Sequence, residues 1–220
     1  MKHYLVTGPE GLAPCGKASP GADLSSDNEN LMPCAYRDPL VALMVQPAIE
    51  MVSAPTLWEV EMSAPRRLDP FRDVAPSCRV VGAFEAEAPS DLQCFAFAAL
   101  LTLNYVDNPV VVGWLLRFLS GEDRTAREAD AVYEKLRLMT MMDTGCSPYL
   151  ASAHAMAQGA ACGDLAGGAA RSALRMAHDA PPGLDLSVFA SYAASSAPES
   201  VAEMARASVR PCTAWKLSPS

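Results

Sequence analysis

Ten of the 18 prolines in this chain fall within its first 88 residues, at positions 9, 14, 20, 33, 39, 47, 55, 65, 70 and 76. A proline inside a helix removes a backbone hydrogen bond and clashes with the preceding turn, so no long helix fits among them. Short strands divided by turns do fit. Tyr4-Leu5-Val6-Thr7, Thr56 to Met62, and Cys78 to Phe84 are strand-like runs. In the second, Leu57, Glu59 and Glu61 alternate with Trp58, Val60 and Met62, which predicts one buried face. Asp38-Pro39 opens a helix with an acceptor at the N-cap and Pro at the first turn, running toward Ile49. Pro47 is expected to kink or shorten it. Residues 1–88 therefore predict a small α+β module.

Glu85-Ala-Glu-Ala-Pro89 reads as a joint, and beyond it the pattern turns helical. Ser90-Asp-Leu-Gln93 is a capping box for a helix to about Tyr105, and Asn108-Pro109 opens a second, closed by Gly121. A third is expected over about Glu122 to Met142, with Ala126, Ala129, Val132, Tyr133, Leu136 and Met139 on one stripe. Asp123/Arg127 and Arg124/Glu128 should pair outside that stripe. Ser147-Pro148 opens a fourth. Gly159, Gly163 and Gly167 then recur every four residues, which implies a close backbone approach or a break at Gly163-Asp164. Ala180-Pro-Pro-Gly183 is a stop, Asp185 begins another helix, and Ser196-Ala-Pro-Glu199 is a second capping box for a last helix to about Arg210. The fold class expected is α+β: an N-terminal module over 1–88, an antiparallel helical bundle over 89–212 and a short tail, 213–220, that frays or folds back on Trp215.

Half of the 220 residues are hydrophobic and 19% are charged, which excludes wholesale disorder. The net charge of −8 argues against direct nucleic-acid binding, which needs cations to displace phosphate counterions. The acidity is spread out, with 7 Lys+Arg against 12 Asp+Glu in residues 1–88 and 10 against 13 thereafter, so no concentrated acidic mimic is visible. Seven scattered cysteines (15, 34, 78, 94, 146, 162, 212) without a CxxC do not form a secreted disulfide framework. The few apolar residues before Gly8-Pro9 are too short for a signal-peptide core, so a cytoplasmic protein with reduced thiols is expected. Leu92 to Leu116 is apolar, but Asp107-Asn-Pro109 cuts it into pieces shorter than the roughly 20 residues a membrane span needs.

Gly11 to Ala18 nearly spells a phosphate loop, yet Ala18 replaces the metal-binding hydroxyl and Ser19-Pro20-Gly21 blocks the following helix. A hairpin loop is the expected reading, with no cofactor. Glu59 and Glu61 share a strand face about 7 Å apart, a spacing usable for acid/base work, though such pairs are more often a solvated face. Cys146, His154 and Cys162 are eight residues apart, so on one helix they climb too far to share a metal. His3, Cys15 and Cys34 have no spacing that requires a metal, and none is expected. No nucleophile elbow, HExxH or GxGxxG after a strand occurs.

Two stretches carry a family resemblance. Tyr4-Leu-Val-Thr-Gly-Pro-Glu-Gly11, Leu31-Met-Pro-Cys34, Pro55-Thr-Leu-Trp-Glu-Val-Glu61 and Cys78-Arg-Val-Val81 follow the order of a small α+β domain in uncharacterised proteins of bacteriophages and their hosts. That family's Gly-x-His-x-Cys turn is replaced here by Ala-Tyr-Arg-Asp38, so no activity is carried over from it. Leu92-Gln-Cys-Phe-Ala-Phe-Ala-Ala99, Gly121-Glu-Asp-Arg124 and Tyr149 to Gly159 resemble the Ala-rich, immunity-protein-like helical domain that follows it. The resemblance implies a phage or mobile-element accessory protein and implies no reaction. The expectation is therefore a non-enzymatic factor in the host cytoplasm that binds, and can inhibit, a host or defence protein. The alternative is a hydrolase or transferase with Glu59 or Glu61 and His154 in a cleft between the two halves. A third reading is self-assembly, a homodimer through the Gly/Ala row.

Overall fold

The computed structural model describes residues 2–49, 54–142, 148–179 and 185–208. In chain order its strands are β1 (His3–Thr7), β2 (Leu12–Ala13), β3 (Gly16–Lys17), β4 (Asp23–Ser25), β5 (Cys34–Tyr36), β6 (Thr56–Ser63), β7 (Arg66–Arg67), β8 (Arg72–Val74) and β9 (Ser77–Phe84). The helices are α1 (Pro39–Ile49), α2 (Asp91–Leu103), α3 (Pro109–Leu119), α4 (Ala126–Met142), α5 (Pro148–Cys162), α6 (Leu165–Asp179), α7 (Leu186–Ser195) and α8 (Pro198–Ser208). The class is α+β, with an antiparallel sheet first and helices after it.

Seven strands pair in the order β4-β9-β6-β1-β5-β8-β7, every pair antiparallel. All five residues of the central β1 are buried, so both faces of the sheet are covered there. Tyr4, Val6, Tyr36 and Leu57 enter the core on the helical side, while Leu5, Ala35, Val60 and Val80 enter a second core on the opposite face. The alternation of β6 accordingly does not divide buried from exposed: Leu57 is buried on one side and Val60 on the other. Between Glu59 and Val60 the pairing with β9 shifts by one residue and skips Val81, a bulge that keeps Val80 and Phe84 facing their separate cores. The second core is closed by the β2–β3 hairpin, the Gly/Lys segment that resembled a phosphate loop, whose following Ala18 is buried against the sheet.

Asp38 Oδ1 accepts from the Val41 amide and starts α1 as its sequence implies, and the helix continues through Pro47 to Ile49. It lies between the sheet and the helical half, touching β1 and β5 on one side and α6 and α7 on the other. One continuous core thus runs from Tyr4 through Met44 to Phe95, Trp114 and Leu136. Residues 85–90, where the joint was expected, contain neither helix nor strand.

The capping box at Ser90 forms in full: its hydroxyl accepts from the Gln93 amide, and Gln93 Oε1 accepts from the Ser90 amide. Every residue from Cys94 to Thr102 is buried, so α2 is the central rod of the bundle, apolar all round. Burial inside protein, rather than in lipid, accounts for its composition; among the described residues no helix is long and apolar enough to cross a membrane. Phe95, Trp114 and Phe118 pack their rings together, Phe95 stacked on Phe118 with centroids 4.2 Å apart.

Three local expectations are corrected. Helix α4 begins at Ala126, because Asp123 folds back onto the Thr125 amide and the Thr125 hydroxyl accepts from the Glu128 amide. The expected pairs inside that turn are replaced: Arg124 reaches Glu199 and the carbonyls of Phe118 and Leu119, and Glu128 pairs with Arg117. Ser196 closes α7 instead of boxing α8, which starts one residue after Ala197. The glycine row acts by both expected routes. Gly163, at φ +76°, turns the chain between α5 and α6. A Cβ on Gly159 would come within 2.6 Å of the Gly168 Cα, so the two helices cross where neither can carry a side chain. Ser147, Cys146, Cys212, Trp215 and the stop at 180–183 lie outside the described residues.

Candidate functional site

The turn between β7 and β8 is organised by Asp69. Its Oδ1 accepts from the amides of Phe71 and Arg72 at 2.8 Å each, and its Oδ2 meets the Arg72 guanidinium at 2.7 Å. This anchors Pro70 and Phe71 at the rim of the sheet. Facing them on α6 are Leu174, Arg175 and His178, neighbours on one side of the helix by their spacing. The two walls enclose a cleft of about 350 Å³, lined mainly by carbon. Arg175 donates from Nη1 to the Ala151 carbonyl on α5 at 2.8 Å, which ties the guanidinium to the bundle.

Behind this wall, His154 lies against Tyr133 with ring centroids 4.5 Å apart. Burial lowers the His154 pKa from 6.5, the positive charges of Arg175 and Arg137 add to the effect, and Glu134 opposes it. The imidazole is thus neutral at pH 7. Glu59 is half-buried and pairs with Lys2 at 3.1 Å, while Glu61 is exposed. Neither lines the cleft, and among the described residues no hydrogen bond, ion pair or ring contact joins either to His154.

A polar cluster that sequence reasoning missed lies on the sheet face opposite the helices. His3 Nε2 is 2.9 Å from Asp73 Oδ2, and Arg37 Nε is 3.5 Å from Asp73 Oδ1. A carboxylate accepts only, so Nε2 carries the proton in this contact. Arg37 also donates from Nη2 to the Asp69 carbonyl at 2.7 Å, linking this cluster to the turn at the cleft. His3 is 2% exposed and its Nδ1 has no hydrogen-bond partner among the described residues. The cluster opens into neither of the two cavities described, so it reads as a clamp holding β1, β5 and β8. The signal that could have found it was a histidine in an unbroken apolar strand, since a buried imidazole needs a partner.

A second cavity, about 390 Å³, lies at the joint between Pro55–Leu57 and Ala83–Glu87. Cys78 and Cys94 are buried thiols whose pKa burial pushes up to about 12, which makes them unreactive. Among the described residues no three His, Cys, Asp or Glu side chains are placed to hold a metal ion. Comparison with protein-family models, with curated proteins and with solved structures found no match.

Proposed function

We propose that this chain is a phage-type accessory protein that acts by binding a host or defence protein in the host cytoplasm, through its helical half. The observation that carries the reading is at the end of α4, where Leu138, Met139 and Met141 stand 52%, 38% and 70% exposed within a single helical turn. Methionine side chains are flexible and polarizable, which suits an adaptable contact with another protein. The sequence resemblance to phage and host accessory proteins supplies the class of partner.

The test is capture from lysate of a candidate host by wild type, Leu138→Asp and Met141→Lys. A stoichiometric protein retained by wild type and lost by both variants is the expected result. Capture that ignores both substitutions, or no stoichiometric protein at all, overturns the assignment.

A further inference from the structure

The cleft between the Asp69–Phe71 turn and α6 is lined by an exposed cation, Arg175, that no carboxylate among the described residues pairs with. The acidic group on the opposite wall, Asp69, is fully committed: one carboxylate oxygen takes two amides and the other takes Arg72. It cannot also neutralise Arg175. The partner of Arg175 among the described residues is one backbone carbonyl, bonded through Nη1, and none of their carboxylates pairs with the guanidinium. His154, which lies within the field of Arg175, brings no negative charge, and Glu134, which also acts on His154, is taken by Arg137. His178, one turn along α6, adds a second nitrogen-bearing side chain to the same wall. The rest of the lining is Pro70, Phe71 and Leu174.

From this arrangement we infer that the cleft is a binding site for a small organic acid, with a carboxylate received by Arg175 and an apolar body lying against Pro70, Phe71 and Leu174. A guanidinium matches a carboxylate with two parallel N–H donors, and the nitrogens of Arg175 not bound to Ala151 remain for it. The volume, about 350 Å³, lies at the low end for ligand pockets and suits a compact acid. The two walls come from the sheet and from the helical half, so the acid bridges them. This site is independent of the apolar end of α4.

Phenylacetate and its neutral isostere phenylacetamide are the probes, titrated into the full-length protein and followed by amide chemical shifts. Saturable binding of phenylacetate, with shifts centred on Phe71 and on Leu174 to His178, is expected. Phenylacetamide and the Arg175→Gln variant should each bind about tenfold more weakly, the scale of one charged hydrogen-bonded contact. Arg171→Gln, whose parent side chain pairs with Asp164, should bind as wild type does. Equal binding of acid and amide, unchanged affinity in Arg175→Gln, or no saturable binding of phenylacetate each overturns the site. An unchanged thermal midpoint in Arg175→Gln ties its loss to the guanidinium and not to the fold.

Discussion

The two faces of the sheet are closed by different means. On one, Tyr4, Val6, Tyr36 and Leu57 meet α1 and, through it, a core that continues to Trp114 and Leu136. On the other, Leu5, Ala35, Val60 and Val80 are covered by a short hairpin and by Ala18 and Leu24. The thick side is almost wholly apolar, whereas the thin side also holds Asp73 between the His3 ring and the Arg37 guanidinium. Depth of cover decides what a face can contain. A charge group near a thin cover keeps some water, as the 13% and 24% side-chain exposures of Asp73 and Arg37 show.

Matched truncations should expose the contrast most strongly. Leu101→Ala, fully buried in the last turn of α2, leaves a cavity walled by rigid helices and should cost about 4 kcal/mol. Leu24→Ala, under the hairpin, sits where short segments can settle inward and should cost about 2 kcal/mol. Urea unfolding of both variants measures this. A larger loss at Leu24 would reverse the ranking of the two covers.

Next in size is the polar clamp. Asp73→Ala strands the Arg37 charge and the His3 N–H in a partly dry site, at a cost of about 3 kcal/mol, near the lower limit for broken buried pairs because of its partial exposure. A loss well under 1 kcal/mol would mean that water already satisfies the trio. Trp58→Phe is a finer probe of the same face. It deletes the indole N–H bonded at 3.0 Å to the Thr7 hydroxyl and should cost about 1 kcal/mol by thermal unfolding.

The same contrast explains what could be read from the chain beforehand. Features set by neighbours in sequence were legible: the three long strands, the Asp38, Ser90, Asn108 and Asp185 caps, and the break at Gly163. Strands β4, β5 and β8 were not, since three residues have too little period to register and their pairing partners are distant. The start of α4 was misplaced because Asp123 and Thr125 compete for the same amides, and only the longer-range pull of Arg124 toward Glu199 settles the turn. His3 and Asp73 are 70 residues apart, and nothing in either position announces the other. The cleft is harder still, because Arg175 matters for the counter-charge that the described residues do not give it, which is a property of the assembled surface.

The smallest expected effect comes from the second histidine. His3 faces a carboxylate, whereas His154 is half-buried beside Tyr133 and within the field of two arginines. Burial and those arginines hold its pKa below 6.5 in the folded chain, so as pH falls the unfolded chain takes up the proton first. Stability from this group is therefore full above pH 6.5, declines as pH drops through that value, and levels off below the folded pKa. His154→Gln should flatten that part of the stability profile and leave the neutral limb unchanged. Removing the charge that acts most strongly on it separates the causes: in Arg175→Gln the His154 resonance should titrate at higher pH than in wild type, still below 6.5 because burial is the larger cause. A His154 titration at or above 6.5 in the wild-type protein would place that ring in water, and with it the bundle wall that carries Arg175.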